Sequence, residues 1–409
     1  MTIKCRFCGN NLKNEFIDLV NSPPSNSFLS EEQLNEPEIF YPLKLFVCDK
    51  CFLVQIDEYK KSDEIFNSDY AYFSSFSQSW LEHSKKYVEM IVKRLGLNES
   101  SLVAEIASND GYLLQYFKQM GIQCYGIEPT INTSLVSKQK GIDVVEKFFD
   151  ASLATHLAAE GKRVDLLLGN NVLAHVPNIN DFVIGLKKLI KDNGTITMEF
   201  PHILNLIEQN QFDTIYHEHF SYFSFYTVNK IFKKHGLNIF DVEELSTHGG
   251  SLRIYATHEE FNILASDSVK LLLKKEEKFG ITNITTYSSF SEKVEKVKNN
   301  LLEFLISAKK EGKMVVGYGA AAKGNTLLNY CGIKKDLISF VVDKSPYKQG
   351  KFLPASHIPV LNEGFLKKEK PDYILIIPWN IKSEIIKQLS YIRRWGGKFV
   401  LAIPYLEIL

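Results

Sequence analysis

The sequence predicts an α/β protein in which a mostly parallel sheet, covered on both faces, lies between a small N-terminal module and a second α/β unit. Three observations predict it. Short apolar runs alternate with helical-period segments from about residue 66 to 260, and the same alternation returns over 312–409. Strands alternating with helices build parallel sheets. Ahead of both, residues 1–65 carry two Cys-x-x-Cys pairs and the turn-rich NSPPSNS, with little apolar sequence for a core of their own. The expected division is 1–65, 66–283 and 284–409.

The first module needs a staple, and its cysteines provide one. Cys5-Arg-Phe-Cys8 and Cys48-Asp-Lys-Cys51 each place two thiolates in one tight turn, and two such knuckles complete a tetrahedral sulfur site for zinc. Four thiolates leave no open position for a reacting water, so the expected zinc is structural. The 39 residues between the knuckles exceed the usual finger spacing, and FIDLVNSPPSNSF is expected to be a loop tied down at both ends. Unligated core cysteines and a redox dithiol are the alternatives.

In the second region SLVAEIAS, QCYGIEP, VDLLLGNNV and TITMEFP read as buried strands, with LLQYFKQMG and FVIGLKKLIKDNG as helices between them. NIFDVEEL and SLRIYATH can close that sheet with an antiparallel edge. The strand holding Glu105 runs through Ala107-Ser108-Asn109-Asp110-Gly111-Tyr112 into a helix, a turn where backbone can approach a ligand closely. Glu128 ends the next strand, where a carboxylate can accept ribose hydroxyl protons; Phe149 follows the third strand and can cover an adenine; Asn170 and Asn171 end the fourth. All lie at carboxyl ends of strands, where open α/β sheets bind ligands. An acidic-x-Gly-x-Gly-x-Gly turn would have three glycines, and Ala107 and Asn109 replace the first two. These residues alone do not separate S-adenosylmethionine from a dinucleotide.

Tyr216-His217-Glu218-His219 crowds proton-transfer groups into four positions just after TITMEFPH. An imidazole titrates near neutrality and suits proton abstraction from carbon, with Glu218 able to orient it or another ring. Metal binding by the two histidines and a plain core role stay open, although helical zinc pairs are spaced i, i+4. Upstream, DYAYFSSFSQSWLEHS can be a helical lid over the site or an amphipathic helix joining domains.

In the third region KMVVGYGA, LISFVVD, DYILIIPW and KFVLAIP alternate with helices. Lys323 and Asn325 lie in a small-residue turn that can cradle a diphosphate, Asp343 ends the following strand, and a loop runs from Lys344 to Lys348. Taken alone, Gly317-x-Gly319 with Asp343 suggests a nicotinamide dinucleotide site and an oxidoreductase. Across the whole chain 48 basic side chains balance 48 acidic ones, so no global field recruits nucleic acid or an anionic membrane. With no secretory signal, no membrane span and paired rather than scaffolding cysteines, a cytoplasmic protein is expected.

Together these segments resemble one family, the S-adenosylmethionine-dependent C-methyltransferases of deoxysugar biosynthesis, which act on nucleotide-linked keto sugars. The resemblance spans the chain and rests on the paired cysteines, YAYFSSFSQSW, AEIASNDGYLLQYF, NNVLAHV, YHEHFSYFS and VVDKSPYKQGKFLPASHIPV. It implies a zinc-binding module, a class I methyltransferase domain, and a C-terminal Rossmann-like domain that helps hold the nucleotide sugar. It also implies His219 as general base with Tyr216 and Glu218 beside it, His175 near the sugar, and Tyr70 from the upstream segment. Lys323 or the Lys344–Lys348 loop would meet the phosphates. An idle binding protein that keeps the methyltransferase shell is the remaining alternative.

Overall fold

A computed structural model of the chain describes residues 3–61 and 72–409 and resolves three sheets. The first is antiparallel and holds β1 (Asn14–Ser22), β2 (Tyr41–Val47) and β3 (Val54–Ile56). Here the structure departs from the sequence reading, because FIDLVNS is a strand rather than a loop. Phe16, Ile17 and Leu19 bury against the helices that follow residue 283, and two register shifts against β2 break the strict alternation a strand signal needs. The Phe16 ring stacks on Phe290 at 4.9 Å and meets Tyr287 edge-on.

The central sheet contains β4 (Leu102–Ile106), β5 (Gln123–Ile127), β6 (Asp143–Val145), β7 (Val164–Asn170) and β8 (Ile190–Pro201). Its strands pair in parallel in the order β6-β5-β4-β7-β8. A two-residue strand, β9 (Ser221–Tyr222), leaves this domain to pair with β3 and joins the first sheet as its fourth strand. Then β10 (Leu237–Leu245) and β11 (Ser251–His258) return, β11 antiparallel between β8 and β10. A parallel sheet closed by one inserted antiparallel strand is the class I methyltransferase topology. The antiparallel edge expected from NIFDVEEL and SLRIYATH is present.

The helix Gln78–Leu95 covers one face. Ser77 caps it by accepting the Trp80 N–H, Gly96 ends it in the left-handed conformation, and Trp80, Ser84, Tyr87, Val88 and Ile91 form its buried stripe. Beyond the helix Phe290–Lys310, the third sheet runs β14 (Val360–Leu361), β13 (Val341–Val342), β12 (Val315–Tyr318), β15 (Tyr373–Ile376), β16 (Lys398–Leu401) and β17 (Glu407–Ile408), parallel except for β17. No helix among the described residues is long and apolar enough to cross a membrane.

Candidate active site

The four cysteines converge. Cys5 and Cys51 Sγ lie 3.5 Å apart, as do Cys8 and Cys48, and all four sulfurs fall within 4.8 Å of one another. Tetrahedral zinc with sulfur at 2.3 Å requires edges of about 3.8 Å, so the cluster fits the ion. Gln55 Nε2 donates to Cys5 Sγ at 3.3 Å and Asn10 Nδ2 lies 3.9 Å from Cys48 Sγ, the outer donors that thiolate ligands attract.

At the carboxyl ends of β4, β5 and β7 opens a cavity of about 590 Å³ whose wall draws on all three domains. Its cofactor-side rim uses the turn after β4. Ala107 (φ +56°), Asn109 (φ +48°) and Gly111 (φ +72°) are all left-handed, so the two missing glycines are replaced by residues that keep the glycine conformation. Asn109 N–H donates to Glu128 Oε2 at 2.9 Å, and Thr130 N–H donates to Oε1 at 2.9 Å. Burial pushes Glu128 above the usual carboxylate range while these N–H groups oppose it. Glu105 is fully buried behind the turn and is raised well above its ordinary pKa, with Tyr112 opposing the shift.

Of the expected cofactor residues, Ala107, Tyr112, Glu128, Phe149, Asn170 and Asn171 line the cavity, whereas Glu105, Ser108 and Gly111 stand behind it as supports. Asn170 Nδ2 and Asn171 Oδ1 are buried without a hydrogen-bond partner, one donor and one acceptor on the wall. Such orphans suit a zwitterionic amino-acid group, and S-adenosylmethionine carries one. The lid expectation is met in part. Ser74 and Ser75 N–H groups donate to the Asn109 and Asp110 side chains, and Tyr72, Ser74 and Trp80 reach the cavity, but the first helical turn is a short 3₁₀ segment, Ser74–Phe76. Tyr70 lies outside the described residues.

The opposite wall is the loop from Phe212 to Tyr222. His219 Nδ1 lies 3.0 Å from Thr214 O; a carbonyl only accepts, so Nδ1 carries the proton and Nε2 the lone pair. Burial holds His219 well below the usual histidine pKa. His175 Nδ1 donates to Glu218 O at 2.8 Å, its ring meets that of His219 edge-on at 4.7 Å, and burial lowers it to about 4. The Tyr216 ring lies 4.1 Å from that of His219, and burial keeps its hydroxyl protonated. Glu218 Oε1 accepts from Asn26 Nδ2 at 2.7 Å, and burial raises its pKa to about 7. His217 faces away, with Nε2 donating to Pro42 O and its ring between Tyr41 and Tyr59. The two histidines therefore form no chelate.

From the third domain Lys323 and Lys348 reach the cavity. Lys323 donates to Asn380 Oδ1 at 2.6 Å above the Trp379 ring, and Lys348 donates to Ala320 O at 2.8 Å. Neither forms an ion pair among the described residues. The structure leaves the other three expected substrate residues off the wall. Asn325 Nδ2 donates to Ser25 O and pins the N-terminal domain; Lys344 is exposed outside the cavity. Asp343 accepts from the Ala320 and Ser345 N–H groups, so the carboxylate that suggested a nicotinamide ribose site braces the turns after β12 and β13 instead.

Five wall or support residues stand out among those that escaped the sequence reading. His248, left-handed at φ +52°, holds Nε2 2.9 Å from Asn171 Nδ2, and its neighbour Gly249 presses so close to Trp379 that a Cβ would lie 2.3 Å from the ring. Trp379 Nε1 donates to the buried Asp213 carboxylate at 2.7 Å, one residue before Thr214. Asn26 comes from NSPPSNS. The THGG turn and the PWN after β15 both stand at strand ends, which was the available signal; Asn26 offered none.

Known proteins share this organisation. Residues 80–242 match the family model described as a methyltransferase domain, 246–404 the C-methyltransferase C-terminal domain, and 5–66 a zinc binding domain. The chain is 33% identical over 401 residues, 98% of its own length and 95% of the other's, to the C-methyltransferase NovU of Streptomyces niveus. Solved structures resemble parts of it more distantly. Magnesium protoporphyrin IX methyltransferase of Synechocystis PCC 6803 is 15% identical with a TM-score of 0.36 over 50% of this chain and 100% of that one. An S-adenosylmethionine-dependent methyltransferase of Clostridium acetobutylicum is 9% identical with a TM-score of 0.36 over 46% and 92%. This chain belongs to the C-methyltransferase family, as an S-adenosylmethionine-dependent enzyme with a zinc-binding N-terminal domain.

Proposed function

We propose that the enzyme methylates a carbon beside the ketone of a nucleotide-linked keto sugar, C3 of a 4-keto-deoxysugar, with His219 as general base. The observation that carries this reading is the single cavity shared by the cofactor rim, the His219 imidazole and two lysines that form no ion pair among the described residues. A ketone acidifies the neighbouring C–H bond, and a neutral imidazole whose other nitrogen is tied to Thr214 O accepts that proton at Nε2. Tyr216, held as a neutral O–H by burial, is the donor for charge that develops on the ketone oxygen. Glu218 and His175 complete the wall around the sugar. Bound S-adenosylmethionine supplies the electrophilic methyl, and Asn170, Asn171 and Glu128 are the residues to hold it.

Lys323 and Lys348 are partly buried cations whose desolvation lowers their pKa values, and an anion such as the diphosphate of a sugar nucleotide offsets that cost. Residues 284–409 then serve as the nucleotide-side domain, 66–283 as the methyl-transfer domain and 1–65 as the zinc module. The test is mass spectrometry of reactions with a panel of keto-sugar nucleotides. One methyl gained on a 4-keto-deoxysugar nucleotide is the expected result, and no gain on any member would reject the substrate class. His219→Ala should lower turnover about a thousandfold or more while leaving S-adenosylmethionine binding intact; near-wild-type turnover would remove its role as base.

A further inference from the structure

We propose that Arg6 is a positioning residue, through which the cysteine cluster fixes the two cavity histidines relative to each other. The proposal rests on the assignment of His219 as base. Arg6 sits inside the first knuckle, and its backbone N–H donates to Gln55 Oε1 at 2.9 Å while Gln55 Nε2 reaches Cys5 Sγ. Knuckle and β3 are thereby tied around the sulfurs.

The guanidinium then leaves the module. One Nη donates to Ile56 O at the end of β3, the other to Pro177 O at 2.9 Å, and Cζ stands 5.4 Å from the centre of the Phe220 ring. Ile56 N–H donates to Phe220 O at 3.2 Å, and Phe220 N–H to Ala174 O at 2.8 Å. Phe220 follows His219 directly, and Pro177 lies two residues beyond His175. One planar fork therefore holds both chain segments that deliver the facing rings. A lysine keeps the charge but not the two diverging donors. Asp57 and Glu58 supply counter-charge.

The test compares wild type with Arg6→Lys and Arg6→Met, each purified with its metal. Zinc should remain at one per chain and the Kd for S-adenosylmethionine should stay within about twofold, whereas kcat should fall about ten- to a hundredfold with KM little changed, the cost of misplacing a reacting group by about an ångström. Histidine-ring ¹⁵N–¹H spectra should show the Nδ1–H signals of His219 and His175 shifted or lost to exchange. Wild-type ring signals with kcat within twofold would overturn the proposal. So would loss of zinc or of donor binding in both variants, which would make Arg6 a purely structural residue. The ring spectra need no sugar, so a failure to methylate any keto sugar would sink the substrate reading and leave this one to be decided by the spectra.

Discussion

The turn of residues 105–112 and the loop of residues 212–222 that carries His219 face each other across one cavity and are held by opposite means. The turn is local: three left-handed residues in eight, Glu128 from the adjoining strand, and serine N–H groups from the segment just upstream. The loop is held from elsewhere. Thr214 orients His219 while its neighbour Asp213 is bound by Trp379 of the third domain; Phe220 is held by Ala174; Ser221 and Tyr222 pair with β3 of the zinc module. On the proposed roles of Glu128 and His219, a site whose cofactor wall is self-supporting and whose His219 wall is assembled from three regions of the chain loses chemistry before it loses binding.

The sharpest way to break that contrast is to remove the zinc. Chelation should abolish turnover, because classical structural zinc sites carry folding free energy of about 10 kcal/mol or more. Hydrogen exchange should then show Ile56 and Phe220 amides losing protection while Ala107 and Glu128 amides keep it; equal loss in both regions would deny the division. A smaller effect is expected from Trp379→Phe, which strips the indole donor from buried Asp213 and leaves a carboxyl that burial already raises to about 6. A lost hydrogen bond to a buried charge costs about 1–3 kcal/mol, so kcat should drop about tenfold with donor binding unchanged by calorimetry.

Acid titration probes the loop more gently. Protonation disables a histidine base, so activity falls as pH drops through the folded pKa, and burial has moved that of His219 well below 6.5. The acid limb of kcat/KM assigned to His219 should therefore lie below pH 6.5. Glu218→Gln should remove any change near pH 7, where that carboxyl titrates. The smallest effect belongs to the turn. Ala107 occupies a conformation that penalises a Cβ by roughly 1 kcal/mol, so Ala107→Gly should raise the unfolding free energy by up to about that amount in urea and leave turnover alone.

The same contrast explains what could be read beforehand. The near-continuous apolar runs of β4 and β7 announce buried parallel strands, and Glu128, Asn170 and Asn171 follow from standing at their ends. The cysteine pairs declare their cluster. By contrast β9 is two residues long and finds its partner more than 160 residues upstream, so no local pattern marks it. The His219 N–H closes a turn onto Tyr216 O, and His217 and His219 consequently point to different neighbours although they stand two apart. Asn325 and Asp343 have the chemistry of ligand residues, but Ser25 O, distant in sequence, claims the first, and the Ala320 and Ser345 N–H groups claim the second.

The most direct measurement of the central claim is deuterium wash-in from D₂O at the carbon beside the ketone of a sugar-nucleotide substrate, with no methyl group available for transfer. The wild-type enzyme should exchange that single C–H, and His219→Ala should not. Exchange at the wild-type rate in the variant would show that another group takes the proton.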